Sequence, residues 1–126
     1  MVSLSLRLLD KGRLAVSTLP LLKGTLDVLV LKALAWSTMH GFELTRWLAD
    51  RSGSTIEFEE AAVYQSLYRL EAKALIAAEW GTSERGRRAR YYSLTAAGRA
   101  HYRKESALWR EYVRVVASIL DAPSQA

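Results

Sequence analysis

From Lys23 onward, apolar side chains recur at helical spacing. Leu26, Leu29, Val30, Ala33 and Leu34 share one face of a 3.6-residue repeat, so a first helix is predicted to end near Trp36 and Ser37. A second begins at His40 or Gly41 and turns Leu44, Trp47 and Leu48 inward, with Gly53 available as a left-handed cap. Residues 55–58 alternate briefly and predict a short strand, after which Glu59 and Glu60 place negative charge where it complements the dipole of a third helix. Val63, Leu67, Leu70 and Ala74 form the predicted buried stripe of that helix. Its opposite face carries Ala61, Tyr64, Gln65, Tyr68, Arg69 and Ala72. The period then drops to two: Ile76, Ala78 and Trp80 mark one strand, residues 81–88 a tip, and residues 89–94 a returning strand. Tyr91 and Tyr92 accordingly point to opposite faces, one of them into the core. Thr95 is placed to cap a final helix reaching about Leu120, and Pro123 lies just beyond it.

Residues 1–20 stand apart as an extension, either a loose arm or a hairpin. Leu4, Leu6 and Leu8 alternate with polar positions, Asp10, Lys11 and Gly12 read as a turn, and Leu14 and Val16 resume the alternation. At the other end, a helix of about 26 residues spans ~39 Å, more than a small core can cover. Its broad apolar stripe contains Tyr102, Trp109, Tyr112, Val113, Val116, Ile119 and Leu120. Such a surplus face predicts a second copy of the same chain, a homodimer. Helix, helix, helix and hairpin in this order read as a winged helix-turn-helix. The expected fold class is therefore mainly α with a small β-hairpin. Residues 21–95 form the winged unit, 96–121 the dimerisation helix and 122–126 a tail.

Composition narrows the chemistry. A chain of 126 residues, 50% of them hydrophobic, supports one compact domain. The absence of cysteine excludes disulfides and thiolate metal sites, and His40 and His101 lie far apart, so neither metal nor cofactor is expected. His40 reads more simply as a helix-start residue than as a ligand. No uncharged apolar run approaches the ~18 residues of a membrane span, and Arg7, Asp10 and Lys11 interrupt the N-terminal apolar stretch without a cleavage pattern. The expected location is cytoplasmic. There is no nucleophile with a base at useful spacing and no glycine loop for phosphates, so no enzymatic activity is expected. The net charge of +5 favours an acidic partner. It is unevenly distributed: residues 82–92 carry Arg85, Arg87, Arg88 and Arg90 against Glu84, whereas residues 59–81 carry Arg69 and Lys73 against Glu59, Glu60, Glu71 and Glu79.

The segments GTLDVLVLKAL (24–34), HGFEL (40–44), VYQSLYRLE (63–71), AEWG (78–81) and RARYYSLTAAGR (88–99) together closely resemble the PadR family of bacterial transcriptional regulators. The resemblance runs from Leu22 to about Leu120, and the single terminal helix is similar to that of the short-tailed subfamily. It implies a dimeric repressor that releases DNA on binding an effector. Where the family commonly has Gly-Thr/Ser-Leu-Tyr-Pro, this chain has Ala61-Ala62-Val63-Tyr64-Gln65. Tyr64 is kept, while Gln65 replaces a proline and brings an amide able to pair with adenine N6 and N7, a contact of ~1–3 kcal/mol. Trp109 matches a tryptophan of multidrug-sensing relatives. The resemblance therefore implies a small hydrophobic or aromatic effector there, the alternative being a dimer-core tryptophan without a ligand.

The expected partner is a double-stranded DNA operator. Gln65 is placed for base readout, Tyr64 and Tyr68 for phosphate or thymine-methyl contact, and Arg69 for phosphate or guanine. Arg85, Arg87 and Arg88 at the hairpin tip are placed for the backbone or minor groove. The alternative is a winged-helix protein-interaction module without DNA binding, which would show no salt-dependent operator binding.

Overall fold

In the computed structural model, the described residues are 6–8, 14–16 and 24–125. The apolar stripes of helices α1 (Leu26–Trp36), α2 (Gly41–Arg51) and α3 (Glu60–Ala72) converge on one core. It contains Val30, Leu31 and Leu34 of α1, Leu44 and Leu48 of α2, and Val63, Leu67 and Leu70 of α3. Leu26, Leu29 and Trp47 pack at its edge. Towards the N-terminus, β1 (Leu6–Leu8) pairs antiparallel with β2 (Leu14–Val16), Arg7 standing opposite Ala15. Leu4 and the predicted turn at Asp10, Lys11 and Gly12 lie outside the described residues.

A two-residue strand, β3 (Met39–His40), precedes α2 and was too short to leave a periodic signal. It pairs with β5 (Arg88–Leu94), which also pairs with β4 (Ile76–Thr82), giving an antiparallel sheet in the order β3-β5-β4. Ile76 opposes Leu94 and Trp80 opposes Arg90. Tyr92 is the buried member of the tyrosine pair at 2% exposure, and Tyr91 is half-buried. His40 does open α2. Its Nδ1 accepts from the Glu43 N–H at 3.2 Å, and Glu43 Oε1 accepts from the His40 N–H at 3.2 Å, a reciprocal capping box.

Two expectations fail locally. Residues 55–58 make only a single bridge at Ile56, whose N–H donates to Ser52 Oγ at 3.2 Å, and no strand forms there. Ala74 is exposed and outside the buried stripe. Helix α3 has already ended, and Ala74 adopts φ 58° in the turn to β4.

That turn seats the last helix, α4 (Ala96–Leu120). Thr95 Oγ accepts from the Gly98 N–H at 3.0 Å and donates to the Ala74 carbonyl at 2.8 Å, while the Thr95 N–H donates to the Leu75 carbonyl at 3.1 Å. Gly98 is buried because α4 lies so close to the chain at Leu75 that a Cβ at this position would overlap the Leu75 carbonyl. Further along α4, Leu108, Tyr112, Val113, Val115, Ile119 and Leu120 are exposed.

Candidate nucleic-acid interface

Helices α2 and α3 and the β4–β5 hairpin enclose an open groove of about 1090 Å³. Residues predicted to contact DNA meet there from two sides. From α3, Tyr64 and Tyr68 line it, with ring centroids 6.5 Å apart. Tyr68 is 58% exposed, and Gln65 on the same helix is also exposed. Tyr64 is half-buried. Its ring packs on Gly41 at the start of α2, where a Cβ would lie 2.5 Å from ring carbons and 2.6 Å from the hydroxyl oxygen. A glycine at that point lets the tyrosine set the distance between the two helices. Burial raises the Tyr64 phenol pKa, with help from the Glu60 charge, so the hydroxyl remains a neutral donor.

The opposite wall is the wing. The Gly86 N–H donates to the Ser83 carbonyl at 2.8 Å and the Ser83 N–H to the Arg87 carbonyl at 2.7 Å, with Gly86 at φ 73°. This closed turn holds Arg85 and Arg87 exposed at the tip. Arg88 stacks its guanidinium 4.3 Å above the ring of Trp80, which is 56% exposed on β4. Arg90, the fourth arginine of the segment, is committed elsewhere. Its two terminal nitrogens donate to the Glu71 carboxylate at 2.9 and 2.7 Å, a bidentate tie between β5 and α3.

Arg69 also has an intramolecular partner. Its Nη2 donates to Asp27 Oδ1 at 2.7 Å, and the same oxygen accepts from Ser66 Oγ at 2.6 Å. Although expected from sequence to touch DNA, the Arg69 guanidinium is engaged with α1. Burial by itself would raise the Asp27 carboxyl pKa, but hydrogen bonds from Arg69 and Ser66 and the Arg69 charge outweigh it and hold the group below its ordinary 3.8. A carboxylate whose pKa is depressed on folding contributes stability that is complete above the unfolded value and is lost as pH falls through the folded one. Urea midpoints of the wild-type chain and Asp27→Asn should therefore differ most above pH 3.8 and converge below it. A gap that stays constant through acid pH would remove Asp27 ionisation as its source.

Phe42, Arg46 and Trp80 line the groove and were missed from sequence. Arg46 lies 5.9 Å from the centroid of the Phe42 ring, one helical turn away on α2. The i, i+4 spacing of an exposed aromatic and an arginine was the available signal, but nothing local showed that this side of α2 faces the wing.

The residues assigned to dimerisation divide into two groups. Tyr102 packs against the core of its own chain, 6.0 Å beneath the Lys32 ammonium, because the first half of α4 lies on α1. Trp109 stacks on Tyr112 with centroids 5.8 Å apart, and Trp109 and Tyr102 border a cavity of about 140 Å³ with Val28, Leu29 and Lys32. Tyr112 and Ile119 are exposed, and Val116 is half-buried. Among the described residues, no cluster of three His, Cys, Asp or Glu could hold a metal, and no helix is long and apolar enough to cross a membrane.

Solved structures share this architecture. A PadR family transcriptional regulator from Eggerthella lenta is 31% identical, with TM-score 0.69 over 80% of this chain and 86% of its own. A PadR family transcription regulator from Clostridium difficile R20291 is 29% identical, with TM-score 0.67 over 77% of this chain and 99% of its own. A PadR-like regulator from Bacillus cereus, 23% identical with TM-score 0.70 over 80% of this chain and 96% of its own, supports the fold alone. The sequence profile of the transcriptional regulator PadR-like family matches residues 30–104, from within α1 through α2, α3 and the sheet to the start of α4, and the chain belongs to that family.

Proposed function

We propose that the protein is a sequence-specific DNA-binding regulator that acts as a homodimer. The observation that carries this reading is the groove itself. An arginine-bearing wing stands across the groove from Tyr64 and Tyr68 of α3, and α3 also exposes Gln65, outside the groove lining, and Arg69, which is paired with Asp27. Phosphate contacts position such a module and base-edge contacts specify the site. Arg85, Arg87, Arg88 and Arg46 are the phosphate-binding groups, Gln65 and Tyr68 face base edges, and Tyr64 spaces α2 from α3. The exposed apolar face of α4 is the surface for the second copy, which would present two α3 helices to one operator.

Repression relieved by a small hydrophobic or aromatic effector is the finer reading. The cavity beside Trp109 supports it, although about 140 Å³ holds only part of a drug-sized molecule unless a second α4 extends it. A planar aromatic compound bound there should quench tryptophan fluorescence and shift the DNA-binding curve together. Quenching with no shift would leave a ligand site without a regulatory role.

Selection of bound fragments from the source genome, followed by titration at two salt concentrations, tests the DNA reading. On the selected site, Gln65→Ala should cost ~1–3 kcal/mol and relax preference at one base pair, leaving salt dependence unchanged. An unaltered base preference would remove Gln65 from readout. Fragments recovered no better than background would favour the protein-interaction alternative.

A further inference from the structure

We infer that Asp27 is a specificity-determining residue: it withholds Arg69 from DNA so that α3 reads through neutral groups while the wing supplies the charge. The inference rests on the DNA-binding reading above. Ser66 is fully buried at 0% exposure, and its hydroxyl needs an acceptor, which Asp27 Oδ1 provides at 2.6 Å. Asp27 also lies in the first turn of α1, where the helix dipole favours a negative charge. Two features other than Arg69 thus fix the carboxylate in place. Arg69 meets it with Nη2 at 2.7 Å from Oδ1 and Nε at 3.5 Å from Oδ2, although the Arg69 side chain is 51% exposed and stands next to the reading residues Gln65 and Tyr68. To take a DNA phosphate, Arg69 would have to leave a half-buried carboxylate without its counter-charge.

Arg90 repeats the arrangement on the other side of the helix. Glu71 of α3 holds it by a bidentate pair, so this β5 arginine is neutralised as well. A free cation on the reading face would bind any phosphate and raise affinity for every sequence. Neutralising the cations on both flanks keeps sequence-independent attraction on the wing and on Arg46 of α2 and leaves discrimination to α3.

The test compares wild type, Asp27→Asn, and Asp27→Asn with Arg69→Gln, on a selected operator and on random-sequence duplex across a salt series. Asparagine retains an oxygen acceptor for Ser66 while removing the charge that holds Arg69. Asp27→Asn should steepen the salt slope by about one and raise random-duplex affinity roughly threefold to tenfold, with a smaller gain on the operator. The added Arg69→Gln change should abolish both gains, which a merely structural role for Asp27 would not predict. Weaker binding by Asp27→Asn, or an unchanged slope, overturns the inference. If Asp27→Asn does not fold, Arg69→Gln alone decides: a wild-type slope supports the withheld arginine, and a slope lower by about one shows that Arg69 holds a phosphate and overturns it. Absence of salt-dependent binding by the wild-type chain overturns the DNA reading itself, an outcome distinct from wild-type binding with an unchanged Asp27→Asn slope.

Discussion

Replacing Gly98 with alanine is expected to destabilise the fold by about 3 kcal/mol or more and to lower Tm by roughly 10 °C or more. The sign is the reverse of what helix propensity alone would give. Within a helix, alanine is favoured over glycine by ~0.8–1.0 kcal/mol. Here the added Cβ would overlap the Leu75 carbonyl and come within 2.8 Å of its carbon, and these are backbone atoms that cannot rotate away. Either α4 lifts off the turn between α3 and β4 or that turn moves. Both options disturb the Thr95 hydroxyl, which holds Ala74 on one side and caps Gly98 on the other. Gly86→Ala is the useful contrast. Gly86 has φ 73° but nothing within 4 Å of a Cβ, so only backbone conformation opposes the change, at about 1 kcal/mol. Thermal unfolding of the two variants checks the comparison. A Gly98→Ala protein melting within about 2 °C of wild type would show that α4 does not dock on Leu75 as described.

The second large effect concerns the wing. Simultaneous replacement of Arg85, Arg87 and Arg88 by alanine should lower operator affinity by about 100-fold or more near 100 mM salt and reduce the slope of log affinity against log salt by roughly 2.7. Each phosphate that an arginine neutralises accounts for about 0.9 of that slope, through the counterions it releases. Arg90 is left out because its bidentate pair with Glu71 makes it part of the scaffold, so three of the four arginines in this segment are available to DNA. Lysine at the three positions should restore most of the slope. It should restore less of the affinity at position 88, because the planar guanidinium lying 4.3 Å over Trp80 is aimed before DNA arrives. Binding isotherms at several salt concentrations read both quantities. An alanine triple variant with the wild-type slope would exclude the wing from phosphate contact.

Much of this architecture was legible because it is encoded locally. The stripe through Val63, Leu67 and Leu70, the alternation through Ile76 and Ala78, and the cap at Thr95 each need only a few neighbouring residues to be read. The strand at Met39 and His40 was not legible, since two residues carry no period and it exists only because β5 offers a free edge. Phe42 and Arg46 were missed for a related reason: α2 reads as scaffold until the wing is seen across the groove.

Charge pairing between distant residues left no signal in the sequence. The excess of arginine after Trp80 identifies a basic segment, yet Arg90 is tied to a glutamate 19 residues earlier. Arg69 is tied to a carboxylate 42 residues earlier. Tyr102, similarly, belongs to an apolar stripe that continues smoothly into exposed residues, and only the seat of α4 on α1 separates its inward part from its free part.

The four helices and the β4–β5 hairpin in their order, the family, the basic wing and the surplus apolar helix are legible in the sequence alone, whereas β3 is not. Periodicity, capping and local charge density are properties of residues close together in the chain. The fold shows what local pattern cannot: that Arg69 and Arg90 are paired with distant carboxylates, that Tyr64 packs on Gly41, and where α4 leaves its own core. Those outcomes depend on groups brought together from distant parts of the chain, where a buried hydroxyl must find an acceptor and a half-buried carboxylate must keep its counter-charge.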